Sequence, residues 1–410
     1  SECLIIENSK WKKLLTEESF KYFRAGMIDV LGRESSDILS AITNFRSALE
    51  KDSSHSITFA ELSNAQLLFG RYSEEKGKDR WLNLAKENAL RSIELDSSSY
   101  RAYSTLGRIY SVKGKVDSAI QYLKMAIKLN PNDLISYTEL GEIYLFTLND
   151  IDESIHFLTK ANQIQPHNSD ILTNLAVGYN FKKNYDKAIL LLEEARSINP
   201  SSSHILINLG VTSERLGDFD KAIKYYNEIL QFGYATDYAD IAIEYLSTLL
   251  LIKKEYKLLE EKIKRYLYSN PSSYKLYYIL GIAKKNMGID KEAFDYWESG
   301  LREANILVSK NEYFLEPLIY TALFNARLNH PQQALQIINV GCEKNPNDPD
   351  IIMGKARVFS ILNDKTNMLK WFSKAKRLTD YFDVGWLKTS IDFEPFINDN
   401  HLISVAMHSY

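Results

Sequence analysis

An internal repeat constrains this chain more than any other feature of its sequence. A leucine followed by glycine or alanine recurs in five places: Leu106-Gly107, Leu140-Gly141, Leu175-Ala176, Leu209-Gly210 and Leu280-Gly281. Three successive repeats close with Pro131, Pro166 and Pro200, in steps of 35 and 34 residues. Because a unit this short cannot bury its own apolar face, such a period indicates a fold built by stacking neighbouring units.

Each repeat predicts two helices. In the repeat that begins at Tyr100, a helical spacing relates the apolar residues Tyr103, Leu106, Ile109 and Tyr110. Gly114 can adopt the left-handed conformation that often ends a helix, and Pro131 stops the second helix. The chain has only 17 glycines and 9 prolines in 410 residues, which also favours helices over turn-rich sheets.

The pattern Leu106-Gly107…Tyr110…Ala119…Leu123…Ala126…Pro131 resembles the tetratricopeptide repeat. The resemblance covers roughly residues 17–378 and implies an all-α, right-handed superhelix of about nine to ten helix pairs. We expect one array over 17–378, an N-terminal leader over 1–16 and a C-terminal capping segment over 379–410. The repeat at 240–271 has Leu259 and Tyr266 in place of the small residues, and an insertion is expected around residues 72–80.

The two ends of the chain carry a more specific resemblance. The opening Phe20-Lys21-Tyr22-Phe23-Arg24-Ala25-Gly26 and the closing Trp386-Leu387…Asp392-Phe393-Glu394-Pro395-Phe396 look like tetratricopeptide regions attached to bacterial signalling proteins. Those proteins include serine/threonine kinases and adenylate cyclases. We expect Trp386, Leu387, Phe393 and Phe396 to cover the last open apolar face of the array, as terminal repeats require.

Residues that could carry catalysis form no recognisable constellation in the sequence. The seven histidines show no metal-binding spacing, and neither a phosphate-binding glycine loop nor a nucleophile elbow occurs. Cys342 is expected to pack in a late repeat and Cys3 to lie in a frayed terminus, and two such distant cysteines favour a reducing compartment. We therefore predict a non-enzymatic protein that uses neither a metal ion nor a cofactor.

Charge and hydropathy limit the expected partners. The net charge of −3 gives no bulk reason to expect nucleic acid or anionic lipid. Charged positions predicted on the concave surface balance in sign, which also argues against nucleic acid. No apolar run is long enough to span a bilayer, and no signal peptide follows Ser1, so we expect a cytoplasmic protein without membrane insertion.

Solvent-facing positions of the first helices are expected to line a concave groove that binds a peptide. We assign peptide binding to Asn174, Asn208, Arg101, Arg108, Thr173, Asn180 and Arg215. Asn174 and Asn208 occupy the same place in consecutive repeats, and an amide can pair with both the N–H and the C=O of a peptide backbone. This resembles the asparagine ladder of peptide-binding tetratricopeptide arrays. The alternative is that both are ordinary exposed helix residues.

The sequence thus predicts a protein-interaction module that holds a peptide or protein in its groove and acts as the regulatory part of a bacterial signalling protein. Two alternatives stay open. The array could self-associate as a structural scaffold, or it could be a fragment of a larger kinase or cyclase.

Overall fold

The computed structural model describes residues 15–32, 34–72, 75–233, 238–311, 314–379 and 381–407. Within these ranges all regular structure is helical, which confirms the all-α prediction. The chain divides into two compact units, Ser1–Lys182 and Lys183–Tyr410. Most of the predicted leader, including Cys3, lies outside the described residues. Among the described helices, none is long and apolar enough to cross a membrane.

The described residues of the first unit form four helix pairs and one further first helix. The pairs are α1 (Glu17–Asp29) with α2 (Ser35–Lys51), α3 (Ser56–Tyr72) with α4 (Glu75–Leu95), α5 (Tyr100–Val112) with α6 (Val116–Leu129), and α7 (Leu134–Glu142) with α8 (Ile151–Ile164). One turn of π-helix, Ile143–Thr147, extends α7. The further first helix is α9 (Ser169–Phe181).

The second unit begins with α10 (Tyr185–Ile198) and continues with five helix pairs. These are α11 (Ser203–Leu216) with α12 (Phe219–Gln231), α13 (Ala239–Ile252) with α14 (Tyr256–Ser269), α15 (Tyr274–Asn286) with α16 (Asp290–Lys310), α17 (Leu315–Arg327) with α18 (Pro331–Lys344), and α19 (Pro349–Ile361) with α20 (Lys365–Lys376). We call residues 381–407 the C-terminal segment. It holds α21 (Val384–Thr389), a 3₁₀ helix (Ile391–Phe396) and α22 (Asn400–Met407). The helix count agrees with the predicted nine to ten pairs.

The repeated glycine allows the two helices of a pair to approach closely. A Cβ placed on Gly107 would lie 2.5 Å from Cγ of Leu123 in the partner helix. In the repeat that departs from the pattern, Leu259 and Tyr266 are buried and fill the corresponding interface. The helix interface of each pair thus accepts either small or large side chains, provided that the opposing residue leaves the space.

Two second helices are longer than the others. The insertion expected around residues 72–80 is helical from Glu75 onward, where it forms the start of α4. Helix α16 extends to Lys310, and both helices have 21 residues. In both places the sequence lacks a proline that would remove a backbone donor and stop the helix.

Candidate functional site

The seven residues predicted to bind a peptide all lie on first helices of the pairs. Arg101 and Arg108 are on α5, Thr173, Asn174 and Asn180 on α9, and Asn208 and Arg215 on α11. Since α5 and α9 belong to the first unit and α11 to the second, these residues form two sets. Each set is built into a different polar arrangement.

In the first unit, polar side chains link consecutive first helices into what we call the inner row. Its members are Glu61, Asn64, Arg101, Arg108, Glu139, Glu142 and Asn174. Arg101 Nε lies 2.9 Å from Glu61 Oε1, and Arg108 Nη1 donates to Asn64 Oδ1 at 2.7 Å. Asn174 Nδ2 donates to Glu142 Oε1 at 3.0 Å. The row therefore runs across α3, α5, α7 and α9 with alternating donors and acceptors.

Burial perturbs two charged groups of the inner row. Burial, and then the neighbouring Arg71, lower the pKa of Arg108 to about 10. Burial, and then Glu139, raise the pKa of Glu142 above its ordinary value, which the hydrogen bond from Asn174 opposes. Opposite charges on neighbouring helices offset part of the desolvation that each group suffers.

The solvent exposure expected for this set is wrong at three positions. Thr173 is fully buried, and only 6% of Asn174 and 7% of Arg108 are exposed. The hydroxyl of Thr173 donates to the Ser169 carbonyl of its own helix at 2.7 Å. Helix α5 contacts both α3 and α7, so Arg108, which faces Asn64 and Glu139 on those helices, is enclosed between them. Asn180 is half-buried in the last turn of α9.

In the second unit, Asn208 and Arg215 make different contacts from the predicted residues of the first unit. Asn208 Nδ2 donates to the His204 carbonyl of its own helix at 2.8 Å, and the residue is half-buried. Arg215 Nη1 lies 3.2 Å from Asp383 Oδ1 in the C-terminal segment, and its guanidinium lies 5.1 Å from the Tyr381 ring centroid. Asn174 and Asn208 share a place in the repeat but not a hydrogen-bonding role.

The C-terminal segment lies along the first helices of the second unit. Helix α21 contacts α11 and α13, and the 3₁₀ helix contacts α19. Asp383 caps α21 by accepting from the Trp386 backbone N–H at 2.9 Å, and it also faces Lys183 at 3.8 Å. The segment is therefore held by charged groups as well as by apolar contacts.

Asp392 is the main polar anchor of this segment. Its Oδ1 accepts from the Tyr278 hydroxyl at 2.5 Å and from Arg327 Nη2 at 2.8 Å. Its Oδ2 accepts from Arg357 Nε at 2.8 Å, while its backbone carbonyl accepts from Ser360 Oγ at 2.6 Å. These partners come from α15, α17 and α19, so one carboxylate ties three first helices to the segment.

The ionisation of Asp392 follows from this cage. Burial alone would raise the pKa of Asp392, but Arg357 and then Arg327 hold it below its ordinary value. Removing one partner of such a buried ion pair leaves an uncompensated charge, which typically costs about 3–5 kcal/mol. The anchor is therefore stable only while all three charges are present.

The expected capping role describes part of what the segment does. Leu387 and Phe393 are buried, and the Phe393 ring centroid lies 5.5 Å from that of Phe372 on the last helix pair. Trp386 and Phe396 are half-buried. The sequence analysis names Asp392 only as part of the closing motif and does not pair it with Arg327 or Arg357. Two arginines 30 residues apart, together with an aspartate inside an aromatic stretch, were the available signal.

No other site with catalytic groups emerges from the part of the chain that the structure describes. Within it, no group of three His, Cys, Asp or Glu side chains could hold a metal ion. Cys342 is buried beside the Ile351 carbonyl, and burial raises the pKa of its thiol. This agrees with a packing residue.

Family models for the tetratricopeptide repeat match residues 100–133, 134–168 and 182–244. The chain therefore contains tetratricopeptide repeats, and such repeats imply a protein–protein interaction scaffold. Among curated proteins, the BBSome complex member BBS4 homolog of Drosophila melanogaster is 25% identical over 162 residues. That match covers 39% of this chain and only 32% of the relative's length.

Two solved structures are similar at low sequence identity. One comes from a functional characterization of Pseudomonas aeruginosa pilF, with 17% identity, a TM-score of 0.44, and coverage of 54% of this chain and 94% of that chain. The other is YrrB, described as a TPR protein with an unusual peptide-binding site. It shows 18% identity and a TM-score of 0.37 over 47% of this chain and 93% of that chain.

Proposed function

We propose that this chain is a non-enzymatic scaffold that binds extended polypeptide segments along the first helices of its repeats. The observation that supports this is the C-terminal segment of the chain itself. It lies on first helices from α11 to α19 and is held there through Asp383 and Asp392. The groups that bind this segment can also bind a partner segment that carries matching carboxylates.

The predicted contact residues enter this proposal unequally. In the first unit we retain Arg101, Arg108 and Asn174 as proposed contacts, because they are the donors of the inner row and come from two first helices, α5 and α9. In the second unit we retain Asn208. We also retain Arg215, because it binds Asp383 of the C-terminal segment and could bind a carboxylate of a partner segment in the same way. Thr173 is fully buried and is not retained.

The test uses a fluorescein-labelled synthetic peptide of residues 381–407 and two forms of the full chain. In the wild-type chain the site is filled by the tethered segment, so the peptide should bind poorly. In the double variant Asp383→Asn, Asp392→Asn the tethered segment loses its anchors. We expect this variant to bind the wild-type peptide at least about tenfold more tightly than the wild-type chain does.

A matched peptide supplies the control for this measurement. A peptide that carries both Asp→Asn changes should bind the double variant at least about tenfold more weakly than the wild-type peptide. Circular dichroism verifies that both forms of the chain keep their helical content. Equal binding of the two peptides, or no binding by a folded double variant, would show that these first helices do not bind a segment through its carboxylates.

The finer assignment, to the regulatory part of a bacterial signalling protein, is supported only by the resemblance of the two ends. Its test is the genomic sequence that flanks the coding region of this chain. A kinase or cyclase domain in the same reading frame would support the assignment. An uninterrupted reading frame for this array alone would contradict it.

A further inference from the structure

A half-open cavity of about 170 Å³ lies in the second unit beside the C-terminal segment. Its lining includes Glu214 and Arg215 of α11, Tyr245 and Thr248 of α13, and Tyr381 and Trp386 of the segment. A cavity needs roughly 10–15 Å³ to hold one water molecule, so this one has room for a long side chain. Three aromatic residues, one acidic residue and one basic residue therefore border the space.

The Glu214 carboxylate forms no ion pair with a lysine or arginine in the described part of the chain. Its Oε1 accepts a hydrogen bond from the Tyr226 hydroxyl at 2.6 Å, and no lysine or arginine nitrogen of the described residues lies within 4 Å. Glu244, thirty residues later on the next first helix, has such a partner. Its carboxylate lies 3.2 Å from Lys275 Nζ. The two glutamates therefore form a natural comparison.

The nearby arginine is engaged elsewhere. Arg215 pairs with Asp383 at 3.2 Å, and its guanidinium stacks over the Tyr381 ring at 5.1 Å. Asp383 is in turn near Lys183. Arg215, Asp383 and Lys183 are thus paired with one another, and neither of the two cations forms a direct ion pair with Glu214.

A carboxylate and aromatic faces around one space attract a cation in two ways. The carboxylate supplies charge and a hydrogen-bond acceptor, and the ring faces supply the negative side of their quadrupoles. Neutral or anionic groups gain neither interaction. We propose that this cavity binds a cationic side chain, lysine or arginine, of a partner segment that lies along α11 and α13. The assignment rests on the proposed function, since it adds a specificity pocket to the same surface.

Protonation of Glu214 makes this binding dependent on pH. Burial raises the pKa of Glu214 to about 7, while Tyr226 and Arg215 oppose the shift. The groups that face it from the packed elements are Tyr226 of α12, Tyr245 of α13 and Tyr381 of the segment. Each of these phenols has its pKa raised and is uncharged near neutrality. Because only the ionised carboxylate attracts a cation, affinity should fall about tenfold from pH 8 to pH 6.

The experiment titrates the full chain, labelled with 5-fluorotryptophan, with small probes followed by ¹⁹F NMR at the Trp386 resonance. The probes are n-butylammonium and n-propylguanidinium, which mimic lysine and arginine side chains, and n-butanol as the neutral control. We expect at least one cation to bind about tenfold or more tightly than butanol. Whichever cation binds more tightly identifies the preferred side chain, and either preference supports the proposal.

Two matched variants separate the role of the carboxylate from the fold. Glu214→Gln keeps an acceptor for Tyr226 but removes the charge, so the preference for a cation over butanol should be lost. Glu244→Gln alters a similar residue that is already paired, so the preference should persist. Equal affinity for cation and butanol, or an unchanged preference in Glu214→Gln, overturns the proposal. A flat pH profile of the wild-type chain does the same without any variant.

Failure of this proposal can be distinguished from failure of the proposed function. The peptide assay measures binding that depends on the anchors Asp383 and Asp392, whereas the cation assay measures binding that depends on Glu214. Peptide binding without cation preference would remove only the pocket. Cation preference without peptide binding would leave a small-cation site on a surface that does not bind segments.

Discussion

At the scale of single residues, backbone conformation at the turns inside the helix pairs determines which side chains are tolerated. Gly114, Gly217 and Gly288 adopt positive φ there, with values of 67°, 81° and 75°. Lys254, in the turn between α13 and α14, adopts the same region with φ of 60°. For an L-residue this conformation costs roughly 1–2 kcal/mol, because Cβ approaches the following carbonyl.

Replacing Lys254 by glycine should therefore stabilise the protein. We expect Lys254→Gly to raise the free energy of unfolding of the second unit by about 0.5–1 kcal/mol, since relief of strain outweighs the added flexibility of the unfolded chain. Urea denaturation followed by circular dichroism measures the change. The control is Glu261→Gly, an exposed position inside α14, which should destabilise by about 1 kcal/mol. If both variants changed the free energy of unfolding in the same direction, backbone strain at Lys254 would be contradicted.

At the scale of helices, the close approach within a pair depends on the absence of a Cβ. A Cβ on Gly281 would lie 2.1 Å from Nε1 of Trp297, whose N–H donates to the Tyr278 carbonyl at 3.3 Å. The Trp297 indole cannot move away from the added Cβ without losing that hydrogen bond. Trp297 is itself buried, so its neighbours restrict any movement.

Gly281→Ala should consequently destabilise the second unit by about 1–3 kcal/mol, even though alanine favours helix formation. Gly70→Ala is the comparison, because its added Cβ would lie 3.2 Å from the nearest atom, the Cβ of Trp81. Gly70→Ala should therefore lose less stability than Gly281→Ala. Thermal unfolding followed at 222 nm, with each variant at equal concentration, ranks the two. A larger loss for Gly70→Ala would show that pair spacing does not control stability.

At the scale of the whole second unit, the C-terminal segment joins first helices that are far apart in sequence. The terminal-cap expectation predicts that deleting the segment would harm the last pair most, with damage that fades towards the start of the array. The structure predicts a broader effect. Without Asp392, the buried Arg327 and Arg357 lose their shared carboxylate, and α11 and α13 lose their contacts with α21.

A chain that ends at residue 379 should therefore lose amide protection on α11, α13, α15, α17 and α19 together. Hydrogen exchange with mass spectrometry compares it with the full chain. The control is a chain that ends at residue 399, which removes only α22 and should expose only its neighbours α20 and α21. Loss confined to α19 and α20 in the shorter chain would favour a simple cap.

The repeat pattern determined most of the fold. The signals that predict the helices are local and can be read from a single sequence. They are the helical spacing of Leu106 and Ile109, the small residues Gly107 and Ala119, and the helix stop at Pro131. The same signals located the candidate site on the first helices. They overestimated exposure at Thr173, Asn174 and Arg108, because burial there depends on the distance between neighbouring first helices.

Tertiary structure alone decided which polar groups meet. Asp392 follows Tyr278 by 114 residues, and no local spacing relates it to Arg327 or Arg357. That Glu214 lacks a direct ion pair is likewise visible only once Arg215 is seen to pair with Asp383. Helix periodicity depends on residues only a few positions apart, so the sequence by itself determined the helices and their pairing. Which charged groups pair depends on the positions of separate helices and of the C-terminal segment, and these positions exist only in the folded chain.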